Sequence, residues 1–298
     1  MSRVYPNQFI GLAPCALAEA DAVLLPVPFE RTVSYGTGTW RAPQAILDAS
    51  NQLEEFDEET LIEFGQDLRV HTADPVLDDE EESVEQYLAH VASHARQLRD
   101  HFVVGLGGEH SVSYGLIDGL CEDLSELTIV QIDAHTDLRD TLGGKRWSHG
   151  TVMRRLLERG CRLVQIGVRS VSKEEYTLSQ SHPQIQTFFA RNLEDRWIAL
   201  EACLAELSGE IYLSLDVDGL DPSVIPTTGT PQPGGLSWQQ TVRIIRQTFN
   251  GPNRRVIGAD VVEYVASPHP PGADTTAAKL VAKILAHWAA CRKTEASL

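Results

Sequence analysis

Short apolar runs recur along the chain at residues 22–25, 102–106, 127–132, 163–168, 211–215 and 256–262, separated by longer stretches of helical pattern. None shows the polar alternation of a half-exposed strand. Each therefore suits a strand covered on both faces, as in a parallel sheet. The stretches between them read as helices. Val84, Leu88, Val91, Ala95 and Leu98 mark one helical face,. Ser237 and Gln240 form a capping box, and Asp274 can cap a helix carrying Ala277, Leu280, Val281, Ile284 and Trp288,. The acidic run at 78–82 reads as a solvated helix start,. This β-then-α order predicts a single-domain α/β fold, a doubly wound, mainly parallel sheet with helices on both faces. The domain is expected to span 1–298, with 1–20 as an N-terminal extension packing on the core.

Charge and cysteine usage exclude several classes. A formal net charge of −17 repels phosphate backbones and anionic lipid, so neither nucleic acid nor membrane is an expected partner,. The five cysteines are scattered without a C-x-x-C, unlike a disulfide framework or a zinc ribbon,. No apolar run is long enough for a membrane span or a signal peptide, which points to a cytoplasmic protein.

In open parallel sheets ligands bind beyond the carboxyl ends of the strands, so polar clusters that follow apolar runs are the places to look. Three stand out: Gly105 to Ser111, containing Glu109 and His110; Asp133-Ala-His135-Thr-Asp137; and Asp216-Val-Asp218-Gly-Leu-Asp221-Pro222. The glycines of the first do not make a dinucleotide fingerprint, because the third glycine would fall at His110,. In extended backbone, residues two apart share a face, so Asp133, His135 and Asp137 are expected to point together, as are Asp216 and Asp218. Four carboxylates brought together repel unless neutralised, and two divalent cations would balance them. With His110 and His135 added, the shell suits manganese or a similar first-row metal better than calcium. An isolated Asp-x-Asp is more often a turn or cap; three ligand-rich strand ends in one chain are not readily explained that way.

These segments, with Ser148-His149-Gly150, resemble the signature motifs of the ureohydrolases, the family of arginase, agmatinase and formimidoylglutamase. The 28–35 segment, Thr228-Gly-Thr-Pro231 with Gly234-Gly235, and Gly258-Ala-Asp-Val-Val-Glu263 extend the likeness over nearly the whole chain. The resemblance implies a hydrolase acting on C–N bonds of linear amidines, with two Mn²⁺ per subunit. One would be held by His110, Asp133, Asp137 and Asp216, the other by Asp133, His135, Asp216 and Asp218, with a hydroxide between them as nucleophile. Asp137 would carry a proton to the leaving nitrogen, His149 would shuttle protons, and Glu263 would bind the guanidinium. It also implies a homo-oligomer, a trimer or hexamer.

The 138–148 loop lacks the polar stretch by which arginases grip an amino acid. Leu138-Arg139-Asp140 with the Met153-Arg154-Arg155 helix is similar to bacterial and archaeal agmatinases, which implies agmatine hydrolysed to putrescine and urea in polyamine biosynthesis. Against a cationic tail stand Arg139, Lys145 and Arg146 of that loop. They leave 4-guanidinobutyrate and 3-guanidinopropionate open beside N1-aminopropylagmatine and arginine. A metal-dependent amine deacetylase and a non-catalytic scaffold are the remaining alternatives. All six candidate ligands are intact, which favours neither.

Overall fold

Strands that are apolar on both faces need a helical layer on each side, and the chain supplies both. The computed structural model describes residues 7–266 and 272–295. The chain runs through β1 (Ala22–Val27), α1 (Ala42–Ser50), a small hairpin of β2 (Phe56–Asp57) and β3 (Ile62–Glu63), and β4 (Val70–Thr72). It continues through α2 (Val84–Gln97), β5 (Phe102–Gly107), α3 (Val112–Leu120), β6 (Thr128–Ile132), α4 (Val152–Glu158), β7 (Arg162–Val168) and α5 (Lys173–Ser181). Next come β8 (Ile185–Phe189), α6 (Trp197–Ala205), β9 (Gly209–Asp216), α7 (Trp238–Phe249), β10 (Arg254–Val262) and α8 (Asp274–Glu295).

Eight strands pair in parallel in the order β4-β1-β5-β10-β9-β6-β7-β8. Alternate side chains of each strand feed two cores. Leu24, Val104, Val130 and Leu213 pack with Ile46 of α1, Leu200 of α6, Ile245 of α7 and Leu280 of α8. Val23, Val103, Ile129 and Tyr212 pack with Leu88 of α2, Leu116 of α3 and Leu156 of α4 on the other face. This is the expected doubly wound sheet.

Local signals set the helix starts. The Ser237–Gln240 box opens α7, and a second box, Ser83 with Gln86, opens α2,. The acidic run before α2 is not purely solvated: Asp78 pairs with Arg31, whose guanidinium also reaches the Glu82 carbonyl. Asp274 begins α8, and its carboxylate accepts the Tyr264 phenol. Of the expected N-terminal extension, residues 1–6 lie outside the described residues, while Phe9 and Ile10 are buried in the α8-side core. Among the described residues no helix is long and apolar enough to cross a membrane. No disulfide joins any two of the five cysteines.

An ion pair ties the hairpin to α8. Nζ of Lys283 lies 2.7 Å from Oδ2 of Asp57, with side chains only 3% and 1% exposed. Burial pushes the Asp57 carboxyl up, but Lys283 and the Thr60 hydrogen bonds outweigh it and hold it below its usual range. Burial likewise opposes the Lys283 charge, and Asp57 overcomes it, so Lys283 is raised. Asp57 thus stabilises the fold fully above an unfolded carboxylate pKa of about 3.9, and loses that as pH falls through its lower folded value. Lys283 acts fully below about 10.4 and loses its effect as pH rises through its raised value. Lys283→Ala leaves the buried Asp57 carboxylate with the Thr60 donors and Lys279 at 3.9 Å, and should cost about 3 kcal/mol, the low end for breaking a buried pair,. Asp57→Asn should flatten the acid limb of a melting-temperature profile. An unchanged limb would show that Asp57 is not linked to stability.

Candidate metal centre

The four central strands, β5, β10, β9 and β6, end side by side. Glu109 and His110 follow β5, Asp133 follows β6, Asp216 closes β9 and Glu263 follows β10. The turn after β5 needs Gly108, because a Cβ there would collide with the Phe29 carbonyl, whose oxygen accepts the Glu109 N–H. Strand alternation does not align the ligands, contrary to the expectation from sequence. Residues 134–137 have left the strand, and Asp137 turns inward through a left-handed φ of 52°. Asp218 lies in a 3₁₀ turn for which the Asp216 carboxylate is the cap, accepting the Asp218 N–H at 2.8 Å. Turns rather than pleats make the cluster.

All six candidate ligands meet at this edge. Nδ1 of His110 lies 3.0 Å from Asp137, 3.2 Å from Asp133 and 3.4 Å from Asp216. Nδ1 of His135 lies 3.0 Å from Asp218 and 3.6 Å from Asp133. Ligand atoms converge in two groups, His110–Asp133–Asp216 and Asp133–His135–Asp218, which share Asp133. The buried Nδ1 of His110 makes no well-aligned hydrogen bond to these oxygens despite their closeness. Nε2 faces Ser214 Oγ at 2.9 Å, and that hydroxyl gives its proton to Asp260 at 2.9 Å. In the neutral ring Nε2 then carries the proton, which leaves a lone pair on Nδ1 aimed where three carboxylate oxygens also point. That is how a metal-ligating histidine is oriented, and the residues fit a pair of divalent cations.

The electrostatics carry the same message. Burial drives Asp216 well up, with the Asp218 and Asp133 charges adding to it; burial and Asp133 push Asp137 up to about 7. Burial also opposes charge on the two histidines, yet the carboxylates hold His110 well above its usual value and His135 up to about 12. Asp133 is similarly burdened by burial, but the two imidazoles keep it below the normal range. A cluster that draws protons onto its own members is short of positive charge.

Glu263 also sits at a left-handed φ of 62°, a backbone strain of the sort found at ligand clamps,. Its Oε1 accepts the His110 N–H at 2.7 Å. Burial pushes its carboxyl up to about 8, with the His110 amide opposing. His149 begins the 3₁₀ turn ahead of α4. Burial, then the His110 and His135 charges, lower its pKa to about 4. Both residues, with Ser34, Arg139, Glu175 and Gln232, line a cleft of about 370 Å³ over the cluster.

The basic residues of the 138–148 loop have partners within the chain. Arg139 lies 3.5 Å from Glu175, Arg146 pairs with Glu158 at 2.8 Å, and Lys145 donates to the Arg31 carbonyl at 3.1 Å. Of the three, only Arg139 lines the cleft.

Several supporting residues were not singled out from sequence. Gln131 donates to Asp133 at 2.7 Å, and Gln165 donates to Gln131 at 2.6 Å. Arg169 gathers the carbonyls of Asp218, Leu220 and Gln232 beneath the 228–235 loop, which Asp221 fixes by accepting from Gly234 and Gly235. One signal was available: Gln131, Gln165, Ser214 and Asp260 are polar interruptions of otherwise apolar strands.

A fully parallel sheet whose carboxyl edge gathers carboxylates and imidazoles in two groups is the architecture of a metal-dependent α/β enzyme,. The chain belongs to the arginase family, whose model matches residues 20–290. It is 35% identical to the N1-aminopropylagmatine ureohydrolase of a Synechocystis species, over 95% of this chain and 94% of that one. It is 37% identical to the enzyme of the same name from Thermus thermophilus, over 88% of each. The crystal structure of agmatine ureohydrolase from Thermoplasma volcanium matches with a TM-score of 0.83 and 27% identity, over 94% of each chain. Family membership makes the chain a ureohydrolase that breaks C–N bonds of guanidino compounds, with a metal-dependent centre.

Proposed function

We propose that the chain hydrolyses N1-aminopropylagmatine to urea and the corresponding triamine. The observation that carries this is the likeness, over nearly the full length of both chains, to relatives bearing that name. It favours this substrate over agmatine, to which the 138–148 loop pointed. Arg139, the one of these cations on the cleft wall, faces Glu175, and Lys145 and Arg146 lie outside the lining, which weakens the case for an anionic substrate.

His110, Asp133, Asp137, Asp216, His135 and Asp218 would hold two divalent cations, manganese by the chemistry of the donors. When bound, such a pair supplies Lewis acidity and lowers the pKa of water, so that hydroxide is available near neutral pH. The protein's own groups do the rest. Glu263 accepts N–H bonds from the planar guanidinium, which offers paired donors. Asp137 takes a proton from the water as its oxygen adds to the guanidinium carbon, and passes that proton to the departing nitrogen as the C–N bond to the tail breaks. His149 exchanges protons between cleft and solvent. Thr230 and Gln232 line the same cleft. The same reading carries a cytoplasmic homo-oligomer.

The test is urea release by the manganese-loaded protein from N1-aminopropylagmatine, agmatine, arginine, 4-guanidinobutyrate and 3-guanidinopropionate. We expect kcat/KM for the first to exceed that for agmatine by about 10-fold or more, the scale of added apolar and charged contacts. Preference for agmatine or for a carboxylate substrate would overturn the assignment.

A further inference from the structure

His149 sits in a hydrogen-bond chain that the metal cluster does not explain. Its Nδ1 lies 3.2 Å from Thr32 Oγ1, and its backbone N–H donates to the same oxygen at 3.1 Å. Thr32 Oγ1 donates to Glu109 Oε1 at 2.5 Å. Glu109 is fully buried and also accepts from Ser111 Oγ at 2.6 Å, Thr32 N at 2.6 Å and Arg31 N at 2.7 Å. On the other side of the ring, Nε2 lies 3.0 Å from Ser34 Oγ at the cleft wall.

Counting protons gives the chain a direction. A carboxylate has about four lone-pair sites, and Glu109 receives four donors, two of them backbone amides that can only donate. A hydroxyl has one proton and two lone pairs. The Thr32 proton goes to Glu109, and one lone pair takes the His149 amide. The second lone pair faces Nδ1, and that contact is a hydrogen bond only if Nδ1 carries the proton. We propose that Thr32, anchored by Glu109, is a positioning residue that fixes His149 in the Nδ1–H tautomer and leaves the Nε2 lone pair facing the cleft. Ser34 then donates to Nε2 until substrate or water replaces it. The reverse direction needs a proton on Glu109 Oε1, since Oε2 is faced by two amide donors.

The inference rests on the reading of His149 as the proton carrier, because a base must present its lone pair, not its N–H, to the proton it accepts. Thr32→Val keeps the shape and removes the hydroxyl; Thr32→Ser keeps the hydroxyl and removes the methyl. We expect Thr32→Val to lower kcat by about 10- to 100-fold, with KM and bound manganese little changed, since a positioned acid–base group contributes at least that much. Thr32→Ser should stay within about threefold of the parent. A purely packing role for Thr32 would reverse that order.

A direct readout comes from the zinc-loaded, diamagnetic full-length protein labelled with ¹⁵N-histidine, with the His149 signals identified by their loss in His149→Asn. The parent should show a protonated Nδ1 and an unprotonated Nε2, and Thr32→Val should shift His149 toward the Nε2–H form. An Nε2–H ring in the parent overturns the proposal, whatever the variants do and even if Thr32→Val does not fold. If Thr32→Val shifts the tautomer while kcat is unchanged, the positioning role stands and the proton-carrier reading of His149 falls.

Discussion

Asp216→Asn is expected to abolish urea release and to lower the bound divalent cation measured by elemental analysis. Asp216 is 3% exposed, lies 3.4 Å from Nδ1 of His110, and caps the turn that presents Asp218. The amide keeps the shape and an acceptor for the Asp218 N–H but removes a negative charge that the proposed cations require. Loss of a hydrogen-bond partner behind a metal ligand costs about 10- to 100-fold, so loss of a ligand's charge should exceed 100-fold in activity. The fold should survive, since burial already drives this carboxyl toward its neutral form in the absence of countercharge,. Full activity with an undiminished metal content would refute the two-cation reading.

Glu263→Gln carries the second large effect, and the structure sharpens how it must be tested. Glu263 has two tasks. One oxygen accepts the His110 amide, and the side chain also lines the cleft, where a guanidinium would bind. Alanine removes both and leaves the amide of a ligand residue without its partner, so it would confuse substrate binding with metal binding. Glutamine retains an acceptor for His110 and removes only the charge. We expect kcat/KM to fall by roughly 30- to 1,000-fold, as for loss of one partner of a buried charge pair, with metal content unchanged. Equal loss of metal in Glu263→Gln would place the residue among the supports of the cluster instead of at the substrate.

The central strands were legible because burial on both faces leaves no room for polar alternation, so each reads as a continuous apolar run. The edges were not. β4 is three residues with His71 in its middle, and β8 begins half-exposed, so neither carries that signal. The six candidate ligands were visible because they crowd just past strand ends, although the turns that aim them, at Asp137 and at Asp216 to Asp218, are tertiary products that periodicity does not encode. The Thr32–His149 contact joins residues 117 apart and has no local signature. The basic loop residues could not be weighed for a related reason: a cation read from sequence is unpaired until the fold brings its partner, as Glu175 comes to Arg139.

The strand order has a consequence for how this protein is made. β5 and β6 follow each other in the chain, but in the sheet β10 and β9 lie between them. A ribosome that has released residues up to 137 has delivered His110, Asp133, His135 and Asp137, four of the six candidate ligands. Those residues cannot yet form the cluster, because two strands still to be synthesised must insert between their supports. Synthesis proceeds from the N-terminus at about 5–20 residues per second, so four side chains able to bind metal exist for several seconds without a site. The centre closes only when β10, ending at Val262, is threaded into the middle of the sheet. Cation capture would thus come late in folding, and it would report that β10 has taken its place between β5 and β9.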